Sequence, residues 1–330
     1  MKIKMISLSI ALLLSLPLSA NEPASSHLVN LLDNQTYTDE YQALGNLNAA
    51  QLTAVTNIEH AIENEDFAQA HSLSDQLLQS DPNLAAAHYL KAKTSVVEGT
   101  DALLFSYSLA QQAKKHFLLA EKLAPTNAKF KLALMSFYLN TPAFFGGNAS
   151  AAENLIAPIT ALSTHYGFLA KLAYSAEFKG KEELEKLISE AQSKHQTDLT
   201  LQLLLGLTLW QSQQPDLAEQ QLLYLDSLDA RSTKDDETKQ LTRYYLGKFC
   251  LKNKSEPTKG IDALNVFIQN HIGNTDDDYL PWAHYYLAQL LLQTEQLEDA
   301  KQHFNWLINH QTDEKLIKLA KKKLKQLPNT

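Results

Sequence analysis

Residues 281–314 read PWAHYYLAQLLLQTEQLEDAKQHFNWLINHQTDE. Their apolar residues recur at helical spacing in two runs separated by a short polar turn, the pattern of two amphipathic helices folded on one another. Small residues, Ala288 and Ala300, stand where two such helices must touch. Leu287, Leu291, Phe304 and Leu307 supply the bulk around them. The same spacing returns upstream, so the chain is read as an array of one supersecondary unit, with an all-α fold.

A first repeat spans Gln51–Leu84, where Ala70 and Leu77 mark the second helix and Pro82 closes it. The second starts at Ala85 and carries Ala113, Phe117, Ala120 and Pro125, with an extension of about seven residues around Glu98–Phe105 between its helices. A third opens with Ala128–Leu139 and is interrupted by Thr141-Pro142-Ala143-Phe144-Phe145-Gly146-Gly147-Asn148. Pro142 ends a helix there, and the glycines permit backbone angles that other residues avoid. Pro158 is expected to kink or break the helix that follows, Ala149–Leu162. The fourth repeat, Tyr166–His195, keeps little beyond Leu172-Ala173 and a turn at Gly180. The fifth, Leu199–Ser232, recovers the pattern at Gly206, Ala218, Leu222 and Leu225. The sixth, from Gln240, shows Gly247, Cys250, Gly260, Leu264 and Phe267, and an acidic linker, Asn274–Asp278, precedes the seventh. The last element, Glu314–Leu327, alternates leucines with lysines, as expected of a helix that covers the open end of a stack.

Residues 1–20 have the layout of a secretory signal peptide: Lys2 and Lys4, an apolar run Met5–Leu18, and small residues before a cut after Ala20. Residues 21–50 are read as a leader and first helix, 51–314 as the repeat array with its insert at 141–148, and 315–330 as the capping helix and tail. No later run is long and apolar enough to span a bilayer. An exported protein is expected, periplasmic if the source is a Gram-negative bacterium. Without Lys2 and Lys4 the chain holds 27 basic and 37 acidic residues, a balance that argues against nucleic acid as partner. Cys250 is the only cysteine, so neither an internal disulfide nor a thiolate metal site can form, and it is expected in the core.

Small residues at positions 8 and 20 of a 34-residue unit, an aromatic or leucine at 24 and proline near 32 together resemble the tetratricopeptide repeat (TPR). The family's tryptophan near position 4 is absent. The resemblance implies antiparallel helix pairs in a right-handed solenoid with a concave groove that binds peptides or protein segments. On the family's inner positions it places Tyr89, Lys93, Lys129, Trp210, Tyr244, Lys248, Trp282, Tyr285 and Gln289. The tract Thr141–Gly147 with the alanine-rich helix after it also resembles the Pro…Gly-Gly insert of some exported helical-repeat proteins, among them the T-component associated with TRAP solute transporters.

Catalytic signatures are missing: there is no GxSxG, HExxH or phosphate-cradling glycine loop. His303 and His310 are seven residues apart on one helix without a third ligand in sequence, and are expected to be exposed or on a rim. Asp276-Asp277-Asp278 lacks the ligand alternation of a calcium loop. No enzyme, metal or cofactor is therefore expected. Function is read as a non-catalytic scaffold that binds a peptide or partner protein. The alternative is a small-molecule-binding component of a transport system, with a pocket at Phe144, Phe145, Gly146 and Gly147. Phe144 and Phe145 are expected to plug the stack between the third and fourth repeats, because exposing two phenylalanines is costly.

Overall fold

The protein is described by a computed structural model over residues 44–101, 107–271, 279–310 and 313–327. The signal-peptide and leader readings up to residue 43, the acidic linker, residues 102–105 of the extension and the tail from 328 lie outside these residues. The described chain forms fifteen α-helices and one 3-10 turn, with no strand among them. The helices are α1 (Ala49–Glu63), α2 (Phe67–Ser80), α3 (Ala85–Asp101), α4 (Tyr107–Leu123), α5 (Ala128–Asn140), α6 (Ala149–Leu162), α7 (Thr164–Phe178), α8 (Lys181–Lys194), α9 (Leu199–Gln211), α10 (Pro215–Ser227), α11 (Thr233–Asn253), α12 (Pro257–Asn270), α13 (Tyr279–Gln293), α14 (Leu297–His310) and α15 (Glu314–Leu324). Neighbours pack in sequence order, and the first helices of successive repeats also touch, as α1 does α3 and α11 does α13. The described residues fall into two compact units, one reaching Glu190 and one starting at Ala191.

Within a repeat the two helices approach through the small residues singled out in the sequence. Ala288, Ala300, Leu287, Phe304 and Leu307 have no exposed surface, and Leu291 is buried with them. In the sixth repeat the approach is tighter. A Cβ on Gly247 would fall inside the van der Waals envelope of Leu264, so only glycine fits beneath that side chain. Cys250 is fully buried as expected. Burial pushes its thiol up to about 11, which keeps it a protonated packing group.

The turns inside the repeats share one solution. Glu65, Gln213 and Glu295 each stand five residues before the small residue of the second helix, and each has a left-handed backbone, with φ of 59°, 57° and 61°. The next N–H closes the helix end by donating to a carbonyl five residues back: Asp66 to Ala61 at 2.9 Å, Gln214 to Leu209 at 3.0 Å and Gln296 to Leu291 at 2.9 Å. This is the Schellman closure, normally built with glycine, performed here by residues that carry a Cβ.

Three sequence expectations change. α6 runs from Ala149 to Leu162 without a break at Pro158. α11 starts at Thr233, seven residues before the expected Gln240, because Ser232 caps it: its side chain accepts from the Asp235 N–H, and Asp235 and Asp236 occupy the positive end of the helix dipole. Residues Glu98–Asp101 continue α3 as helix, so at least this part of the extension lengthens an element.

Replacing Gln213 or Glu295 by Gly should relieve the left-handed strain and stabilise the fold by about 0.5–1 kcal/mol each. Gly247→Ala should cost about 1–3 kcal/mol through overpacking against Leu264. Urea unfolding of the three single variants measures both signs.

Candidate functional site

The nine inner-face residues divide between the two compact units. In the first, the Tyr89 ring stacks on Phe130 with centroids 5.2 Å apart, and the Lys129 ammonium lies 5.6 Å from the Tyr89 centroid. Lys93 is ion-paired with Glu59 of α1. In the second unit Tyr244 stands among Tyr245, Phe267, Tyr279 and Tyr286, at centroid distances of 4.8–5.9 Å. The Lys248 ammonium lies 5.9 Å from the Tyr245 ring. Trp282 packs on Tyr285 and Tyr286, Tyr285 on Phe304, and Trp210 on Phe249. Tyr89 and Tyr244 are 0% and 1% exposed. The rings at these two positions therefore join helices, where the sequence reading had them facing a ligand. Trp210 and Gln289 keep some exposed surface.

The insert behaves differently. Pro142 leads into a 3-10 turn, Ala143–Phe145, closed by Gly146 at φ 113°. The loop is held by backbone bonds: Phe145 and Gly147 N–H donate to Pro142 O at 2.9 and 3.2 Å, and Asn148 N–H donates to Tyr138 O at 2.9 Å. A Cβ on Gly147 would collide with the Thr141 carbonyl oxygen. The expected plug is absent: Phe144 is 74% exposed. Its ring rests on Phe145, centroids 4.3 Å apart, and Phe145 reaches Tyr107 of α4 at 6.3 Å. Tyr107 is itself 62% exposed. Gln111 Nε2 donates to Phe145 O at 3.3 Å, and the Lys114 chain lies against Gly146. Tyr107, Gln111, Lys114 and Leu118 follow one helical stripe, and Leu118 is also exposed. Two rings, an amide and an ammonium thus share one open face.

A second arrangement escaped the sequence reading. Four residues before the small residue of the first helix, and three after that of the second, three repeats hold a polar pair, buried throughout except at the half-buried His303. These are His88 with His116, Gln202 with Gln221, and His284 with His303. Both histidine pairs meet Nδ1 to Nδ1 at 2.8 Å, and Gln221 Nε2 donates to Gln202 Oε1 at 2.6 Å. His88 Nε2 lies 3.1 Å from the Pro82 carbonyl and must carry a proton there. Its Nδ1 is then the acceptor, and His116 Nδ1–H donates to it. In the seventh repeat Trp306 stacks on His284 at 3.8 Å and His310 stacks on Trp306. His303, expected at a rim, is therefore joined to a partner nineteen residues away. Among the described residues no three His, Cys, Asp or Glu side chains gather as a metal would require.

Both pairs are held neutral. Burial, followed by His88, Lys91, Lys115 and His71, lowers His116 to about 4. Burial, then His303 and His310, lowers His284 to about 3. His88 and His303 are lowered chiefly by burial as well. A second proton would also put two N–H groups head to head across 2.8 Å. Compared with known proteins, the chain matches no family model and no curated protein.

Free imidazole titrates near 6.5, so between that value and the lowered ones the unfolded chain binds more protons than the folded one. The neutral pairs contribute fully above about pH 6.5, and stability is lost as pH falls through about 4 for His116 and about 3 for His284. Urea midpoints should therefore drop from neutral to acid pH. Converting all four histidines to Gln, the pair already used at Gln202 and Gln221, should flatten that dependence. An equally steep slope in the variant would exclude these groups as its source.

Proposed function

We propose that this chain is an exported, TPR-like right-handed solenoid that acts as a non-catalytic scaffold, binding a peptide or protein segment in the cell envelope. Among the described residues, seven successive helix pairs followed by one further helix support the architecture. The basic start and apolar run at residues 1–20 support export. Binding rests on one observation: Phe144 and Tyr107 are the most exposed large hydrophobic side chains among the described residues, Phe144 within the break in the repeat and Tyr107 beside it across Phe145.

An exposed pair of rings offers a partner a large apolar area at low entropic cost, since aromatic side chains have few rotors to fix. Gln111 and Lys114 beside them supply donors for backbone carbonyls or a carboxylate of the bound segment. The glycine-locked loop holds Phe144 in place before binding, which lowers the ordering cost further.

Phe144→Ala with Tyr107→Ala should leave the melting temperature within about 2 °C, because neither ring is buried. The double variant should lose its partner in a pull-down from envelope extract, an affinity loss of about 30-fold or more. A folded double variant that retains every wild-type partner would overturn the assignment of binding to this face.

A further inference from the structure

We infer that the lysine face of α15 docks the protein onto an anionic phospholipid bilayer. Lys315, Lys318, Lys321, Lys322 and Lys325 are all exposed. At about 100° per residue they fall within about one third of the helix circumference, along about 15 Å of its axis. One carboxylate shares that arc, Glu314 at the N-terminal end of the helix, and the five lysines outnumber it. Lys318, Lys321, Lys322 and Lys325 make no ion pair with a described residue, whereas lysines elsewhere are often paired, as Lys171 is with Glu190 at 3.0 Å.

The charge distribution is lopsided. Residues 313–330 carry six lysines against Asp313 and Glu314, a formal +4, within a chain of −8. The remaining 312 residues therefore carry −12. In an otherwise acidic chain this basic segment is the part that a negative surface attracts. The opposite side of the helix is already committed: Leu316 is 1% and Ala320 0% exposed, against α14. The helix therefore lies along the headgroups and does not insert.

A protein partner is disfavoured by composition. The face has no aromatic or arginine to anchor a desolvated contact, and its flanking Leu319 is only 37% exposed. Flexible ammonium groups set in a straight row suit a laterally mobile sheet of headgroups, which can adjust to them, and their attraction adds roughly per lysine near the surface.

The test is co-sedimentation of the full chain with vesicles of phosphatidylcholine alone or with about one third phosphatidylglycerol, a strongly anionic mixture. The apolar run at residues 5–18 adsorbs to either vesicle, so the readout is the difference between them. Wild type should prefer the anionic vesicles and lose that preference at about 0.5 M salt, where screening shortens electrostatic reach to a few ångströms. The variant Lys318→Gln, Lys321→Gln, Lys322→Gln, Lys325→Gln, with unchanged melting, should bind anionic vesicles about 30-fold or more weakly. No anionic preference, or a preference that survives in the variant, overturns the proposal. So does equal affinity for short duplex DNA or for a polyglutamate peptide, since the face would then bind any polyanion.

Discussion

Everything in the described chain depends on how closely the two helices of a repeat approach. That distance is set by the residue that is missing bulk: Ala288 and Ala92 in two repeats, Gly206 and Gly247 in two others. Leu222 stands opposite Gly206 and Leu264 opposite Gly247, and Phe117 and Phe304, at the same repeat position, are likewise fully buried. Remove the gap and the helices part, which exposes the rings and leucines on both sides at once. A single pair buries too little apolar surface to fold alone, so each depends on its neighbours for the remainder.

The close approach creates a difficulty one turn away, where polar side chains are buried with the backbone end of the preceding helix pair. Position 4 of the repeat resolves it by bonding in two directions. His88 reaches the Pro82 carbonyl and His116, and Gln202 donates to Ala191 and His195 carbonyls while accepting from Gln221. Arg243, at the same place in the sixth repeat, turns to Asp226 of the preceding helix. The family resemblance places a tryptophan near this position, which would serve by size. Here hydrogen bonds do that work, and they bring a cost. An unmet donor or acceptor in such a site loses about 1–3 kcal/mol, so the pair is selective about its partner and, for histidine, about pH.

Sequence periodicity made the helix pairs legible because small and bulky residues recur at a fixed offset, and burial at those positions is what the offset encodes. Helix starts were less legible: α11 begins at a serine cap that no apolar repeat announces. Of the candidate site residues, Tyr89 and Tyr244 were placed on the inner helices, but periodicity cannot tell a ring that faces a groove from one wedged between two helices. Phe144 failed in the opposite direction. Hydrophobicity alone argues for burial, and the glycine-built turn that holds the ring outward is a matter of backbone geometry. The histidine pairs were hidden by separation, nineteen residues in one case and twenty-eight in the other, although their offsets from the small residues are constant.

Regularity and exposure are therefore complementary in this molecule. Where helices face one another the large side chains are buried, and even the lysines Lys91, Lys93 and Lys131 are paired with Asp75, Glu59 and Glu121. Surplus chemistry is found where the repetition stops. At Thr141–Asn148 the second helix of a pair is delayed, and a ring is left without a neighbour to cover it. At α15, the last described helix, the outer face is exposed and cationic in an acidic chain. Both places carry side chains that the described residues leave exposed, Phe144 at the interruption and the lysine row on α15.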